Sequence, residues 1–215
     1  MAGSTHANDG NVTGNHSDSS DFLVLKISSS GAIEWQKTMG GTKTDEGNEI
    51  RQTKDSGYIV AGTSRSTDGD VIGNHGGADY WVAKLNKTGA FVWKNSYGGT
   101  RDDYATDIKQ TKEGGYILNG YTNSNNGNVT GNHSDSSDCW LVKLDETGLL
   151  QWQKAMGGTG EDHGRSVTQT LDGGYISAGF ARSNDGNVVG NHGDEDYWIV
   201  KLGAEIFPPT ISIQS

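Results

Sequence analysis

The sequence predicts an all-β fold assembled from one repeated four-stranded unit. Three observations carry that expectation. Aromatic landmarks recur at a fixed period: Trp35, Trp93 and Trp152 are 58 and 59 residues apart, and Tyr58, Tyr116 and Tyr175 keep the same spacing. Glycine is abundant, 33 residues against 2 prolines, which suits short strands joined by tight turns. Short runs rich in β-branched and aromatic residues recur along the chain, and no helical period competes with them.

One unit holds four candidate strands. The first is EIRQTK (49–54), repeated as DIKQTK and SVTQTL. The second is GYIVAGTS (57–64), repeated as GYILNGYT and GYISAGFA. A long polar loop follows, and then YWVAKL (80–85), with FLVLKI, CWLVKL and YWIVKL as its copies. The fourth is FVWKNSY (91–97), matched by IEWQKTM and LQWQKAM. The connections KDSG, KEGG and LDGG, and SSSG, NKTG and DETG, carry glycine where a tight hairpin calls for positive φ.

Four antiparallel strands in about 58 residues make one blade of a β-propeller. A blade cannot bury both faces alone, so neighbours stack and share a core. Trp35, Trp81, Trp93, Trp140, Trp152 and Trp198 are the expected core aromatics, with Cys139 a small core residue where Tyr80 and Tyr197 stand in other copies. The expected organisation of residues 1–202 is a partial blade over 1–39, blades over 47–97 and 105–156, and a partial blade over 164–202. Residues 203–215 break the repeat and read as a closing strand or a linker. About four blades form either a compact ring or part of a larger propeller, and self-association is expected if the propeller is incomplete.

The segment DYWVAKLNKTGAFVWKNSYGGTRDDYATDIKQTKEGGYILNGYT resembles the bacterial β-propeller repeat of the SBBP type. That repeat shows a strand ending in Lys-Leu, a Thr-Gly or Ser-Gly turn, another strand, and Gly-Gly-[Ser/Thr]-x-x-Asp before the innermost strand. The likeness covers Asp21 to Leu202. It implies a protein exported by a bacterium or held on its surface. The polar loop departs from the generic repeat, so the resemblance says nothing of it.

Composition narrows the function. The net charge of −10 disfavours a nucleic-acid partner, because phosphate backbones attract the opposite sign. A single cysteine rules out an intrachain disulfide framework. No run of about 18 apolar residues is present to span a membrane as a helix. The opening MAGSTHANDG does not read as a signal peptide.

The polar loop is written four times: NDGNVTGNHSDSSDF, TDGDVIGNHGGADY, NNGNVTGNHSDSSDC and NDGNVVGNHGDEDY. Up-and-down topology sends this loop and the Gly-Gly-Thr connection between blades to the same face. Segments 5–21, 40–46, 64–79, 98–104, 122–138, 157–163 and 181–196 hold eighteen of the 27 acids, four of the 17 bases and all six histidines. The opening Asp-Gly-Asn-Val-Thr-Gly resembles the start of an EF-hand loop, with oxygen donors at positions one and three and glycine at six. This makes calcium an expected ligand of Asp9, Asn11 and Asp21; of Asp68, Asp70 and Asp79; of Asn128 and Asp138 with Asn126; and of Asp185, Asn187 and Asp196. The second copy is the best candidate, with acids at positions one, three and twelve. The competing expectation is a self-bonded turn, since Asx side chains bond their own backbone.

Asn15-His16, Asn74-His75, Asn132-His133 and Asn191-His192 recur at the loop tip and are candidate ligand contacts. One histidine per copy is too few for a zinc cluster. Four equivalent loops suggest multivalent binding rather than a single catalytic centre. The expected function is a non-enzymatic scaffold that binds a protein or glycan through its acidic loop face. A lectin-like module is the alternative. A glycoside hydrolase is the less favoured one, because no hydrolase, zinc-protease or phosphate-loop motif is present.

Overall fold

The computed structural model describes residues 1–204. They form an all-β molecule of fourteen strands in four antiparallel sheets, with no helix among them. The first sheet holds β1 (Ala2–Thr5), β2 (Asp21–Ile27) and β3 (Ile33–Met39). The second holds β4 (Asp45–Gln52), β5 (Tyr58–Ser64), β6 (Asp79–Leu85) and β7 (Phe91–Tyr97). The third holds β8 (Asp103–Gln110), β9 (Tyr116–Thr122), β10 (Asp138–Leu144) and β11 (Leu150–Met156). The fourth holds β12 (Asp162–Gln169), β13 (Tyr175–Ala181) and β14 (Asp196–Leu202). Each sheet is a meander in which sequence neighbours pair. Most of the proposed tail, beyond Ala204, lies outside the described residues.

The innermost strands begin earlier than their apolar pattern suggests. Asp45 pairs with Ser64, Asp103 with Thr122 and Asp162 with Ala181, each ahead of a register shift, as between Gly47 and Glu49. Aspartate and glycine are poor strand formers, so composition hides these first residues. One hairpin glycine is also displaced. Gly114 and Gly173 hold positive φ in the third and fourth sheets, but Ser56 takes that place in the second, at φ 66°.

Three apolar clusters hold consecutive sheets together. Phe22, Val24 and Met39 of the first meet Val60, Trp81, Ala83 and Leu85 of the second. Ile59, Ala61, Tyr80 and Val82 meet Ile108, Leu118, Trp140 and Val142 of the third. Ile117, Cys139, Leu141 and Met156 meet Val167 and Tyr175 of the fourth, with Trp198 and Val200 packed alongside. The tryptophans are not equally deep. Trp81 and Trp140 are fully buried on third strands, whereas Trp35, Trp93 and Trp152 are half-buried on outer strands. Each of those three meets a tyrosine of the next sheet edge-on: Tyr58, Tyr116 and Tyr175, at 5.6, 5.8 and 5.6 Å between ring centres. The outer strand leaves one side of the indole in solvent, so these rings clamp a rim rather than fill a centre.

Candidate functional site

The polar loops and the Gly-Gly-Thr connections interlock at one end of the molecule. Each loop opens with a tight turn, in which the carbonyl of Asp9, Asp68, Asn126 or Asp185 accepts the N–H of Val12, Val71, Val129 or Val188. Val71, Val129 and Val188 are buried beneath the loop and pin it down. The side chain at position one then turns outward to the inter-sheet connection. Asp68 Oδ1 accepts the Thr42 N–H at 2.8 Å, Asn126 Oδ1 that of Thr100 at 2.8 Å, and Asp185 Oδ1 that of Thr159 at 2.8 Å. These donors hold the Asp68 and Asp185 carboxyls below the usual carboxylate range.

Position three does different work in different copies. Asn128 and Asn187 accept the N–H of Gly98 and Gly157, at 3.2 and 3.3 Å. Asp70 instead takes the Lys94 ammonium at 2.9 Å and lies 3.8 Å from His16 Nε2 of the preceding loop. Asn11 is exposed.

The last acid of each loop opens the third strand and receives the histidine. His75 donates its backbone N–H to Asp79 Oδ2 at 2.9 Å, and its Nδ1 lies 2.7 Å from the same oxygen. His16 with Asp21 and His133 with Asp138 repeat the arrangement at 2.6 Å; His192 with Asp196 is looser, at 3.1 Å and largely exposed. The preceding asparagines brace the loop base. Asn74 donates to Ser64 O at 3.0 Å, Asn132 to Thr122 O and Ser124 O, and Asn191 to Ala181 O at 2.9 Å. Asn15 is buried at the same place.

A second row of acids lies behind the first. Asp45, Asp103 and Asp162 open the innermost strands and are buried. They accept the N–H of Gly41, Gly99 and Gly158 at 2.8 Å and hydroxyls of Ser66, Ser124 and Ser183. The two rows meet across a glycine. A side-chain carbon built on Gly98 would lie 2.6 Å from both Asp79 Oδ1 and Asp103 Oδ2, and Gly40 and Gly157 stand in the same way between Asp21 and Asp45 and between Asp138 and Asp162. Burial pushes the Asp79 carboxyl up to about 6, and raises Asp45, Asp103 and Asp138 above their ordinary value. Neighbouring carboxylates add to the rise at Asp79 and Asp138.

The expected metal ligands are therefore spread over separate partners. Asp68 serves Thr42, Asp70 serves Lys94, and Asp79 serves His75. Among the described residues no three His, Cys, Asp or Glu side chains form a metal-holding group.

Sequence reasoning missed the place where the repeat symmetry breaks. Arg65 makes a two-pronged bond to Asp102, at 3.0 and 2.9 Å, and reaches Tyr104 Oη at 2.7 Å. Tyr104 stacks on Tyr121, Tyr121 on His163 at 3.7 Å between centres, and His163 tilts onto Phe180. His163 belongs to β12 rather than to a loop. Burial holds its ring down to about 4, and Nε2 lies 2.6 Å from Ser137 Oγ. The signal was available: Glu46, Tyr104 and His163 occupy one repeat position, and no two of them match.

No protein-family model matches the chain, and no curated protein matches it.

Proposed function

We propose that the chain is a non-enzymatic β-propeller scaffold whose acidic loop end binds a partner, the four sheets being its blades. The observation that carries this reading is the equivalence of the loops. The second, third and fourth copies spend their first acid or amide and their asparagine on the same internal bonds, and all four set the histidine Nδ1 against the last acid. No copy is set apart by a reactive carboxyl pair or an activated nucleophile, which argues for a presented surface over a reaction centre. What remains outward is charge. Asp9, Asp18, Asp135, Asp194 and Glu195 are exposed on an end that holds fourteen more acids than bases. Such an end attracts cationic groups over a distance set by salt.

In this reading the loop acids serve bonds within the protein, to the inter-sheet connection, to Lys94 and to the loop histidine, rather than calcium. An exported or surface setting follows from the repeat resemblance alone. The test is binding of a lysine-rich peptide and a glutamate-rich peptide to the chain at two salt concentrations, with a glycan array in parallel. Selective, salt-sensitive capture of the lysine-rich peptide, weakened in Asp18→Asn/Asp135→Asn/Asp194→Asn/Glu195→Gln, supports the proposal. Equal binding of both peptides overturns it. Glycan binding lost in His75→Ala favours the lectin-like alternative.

A further inference from the structure

We infer that the chain docks head to tail on a second copy of itself, the free face of the fourth sheet closing on the free face of the first. The inference comes from one repeated position on the third strands: Phe22, Tyr80, Cys139 and Tyr197. At the first two joints this residue is a plug. Phe22 is 0% exposed, with its ring 4.9 Å from that of Trp81, and a side-chain carbon on Gly62 would lie 2.7 Å from its Cζ. Tyr80 is also 0% exposed; its ring lies 4.5 Å from Trp140, and its hydroxyl donates to Trp140 O at 3.0 Å. At the third joint the plug is only a cysteine. There Asn119 crosses instead, donating to Ser166 O and Ser177 Oγ at 2.9 Å.

Among the described residues the fourth copy has the plug and no socket to receive it. Tyr197 is 100% exposed. Ile199, two residues on and on the same face, is 66% exposed where Val82 and Leu141 are 0%. The first sheet has the socket and no plug. Gly3 takes the place of Gly62 and Gly120, and nothing lies within 4 Å of a carbon built on it. Leu23 stands where Trp81 and Trp140 stand, and Ile27 and Ile33 on the same sheet are exposed. The two free faces are thus the two halves of a joint this chain already makes internally. The plug and socket are different surfaces, so the contact is heterologous: each copy gives one face and receives on the other, closing a ring or extending a chain. A side chain of this size, fully desolvated, is the type of anchor on which such interfaces depend.

Sedimentation equilibrium of the 215-residue chain tests this with two variants, Tyr197→Glu and Gly3→Glu. Both positions are open in the single chain, so each variant should keep the wild-type circular dichroism and melting temperature; Ile199→Lys is a second plug variant checked the same way. Wild type should show a mass that rises at least twofold with concentration. Each variant alone should stay monomeric. An equimolar mixture of Tyr197→Glu and Gly3→Glu should form dimers and nothing larger, through the one intact plug and socket. A wild type that is monomeric throughout, a monomeric mixture, or a variant that associates as wild type does would each overturn the inference. This test leaves the acidic end untouched, so its outcome is separate from that of the binding proposal.

Discussion

Asp68 and Asp79 stand at the two ends of one loop, and their carboxyls are driven in opposite directions. Asp68 is exposed and receives two donors from Thr42, which hold its carboxyl low. Asp79 is fully buried, shares a glycine's flank with Asp103, and is pushed up to about 6. As a sequence pattern the two look like members of a single ligand set. As structure they have different jobs: Asp68 ties the loop to the inter-sheet connection, and Asp79 anchors the histidine at the joint itself. The difference teaches that acids at a ligand-like spacing can have separate partners: Asp68 takes Thr42, and Asp79 takes the loop's own His75.

The largest expected effect falls on the glycine between the buried acids. Gly98→Val should destabilise by about 3 kcal/mol, because its side chain would collide with Asp79 and Asp103, both buried. Gly10→Val, at a turn with open space around it but φ 58°, should cost about 1 kcal/mol. Equal denaturant midpoints for the two would break the comparison. Next comes removal of the acids themselves. Asp79→Ala leaves the His75 N–H without its acceptor and should cost about 1–3 kcal/mol, and Asp68→Ala, at the surface, should cost less. An Asp68→Ala loss larger than that of Asp79→Ala would reverse the assignment of roles.

The pH dependence sharpens the same contrast. A carboxyl raised in the folded state binds its proton more tightly there than in the unfolded chain. Its contribution is full below the ordinary aspartate value and is lost as pH rises through about 6. The Asp68 carboxyl, held low, contributes in the opposite sense, present above the ordinary value and lost in acid. His75 and Asp103 face Asp79, so Asp79→Asn is the clean comparison. Between pH 4.5 and 7.5 the wild-type melting temperature should fall relative to that of Asp79→Asn. Parallel curves would contradict the raised carboxyl. The smallest expected effect is that of calcium: millimolar calcium should leave the melting temperature of wild type and of Asp70→Asn alike. A rise in wild type that Asp70→Asn lacks would restore the loop as a cation site.

Much of the fold was legible because a period of about 58 residues repeats both pattern and punctuation. Tyr58–Ser64 and Phe91–Tyr97 fall where apolar alternation ends in a glycine-bearing turn. The starts of the innermost strands were not legible, because Asp45 and Gly47 look like loop residues until Ser64, Ser66 and Gly41 are seen around the carboxylate. The loop's chemistry was half legible. The repeat shows an Asp four or five residues after each loop His, but that the two side chains meet is seen only in the structure. Nor can the repeat show that Asp68 looks toward Thr42, some 26 residues earlier in the chain. The Tyr104, Tyr121 and His163 stack was hidden by the same repeat that revealed the fold, since a period marks only residues that recur and these do not.

In each copy the histidine closes the loop onto its own strand. A double-mutant cycle on His75→Ala and Asp79→Ala, followed by denaturant unfolding, tests this most directly. His75→Ala keeps the backbone bond and removes only the ring, so the cycle isolates the Nδ1 contact at 2.7 Å. The account predicts a coupling of about 0.5–3 kcal/mol. Strict additivity of the two losses would mean that ring and carboxyl do not act on each other, and would contradict it.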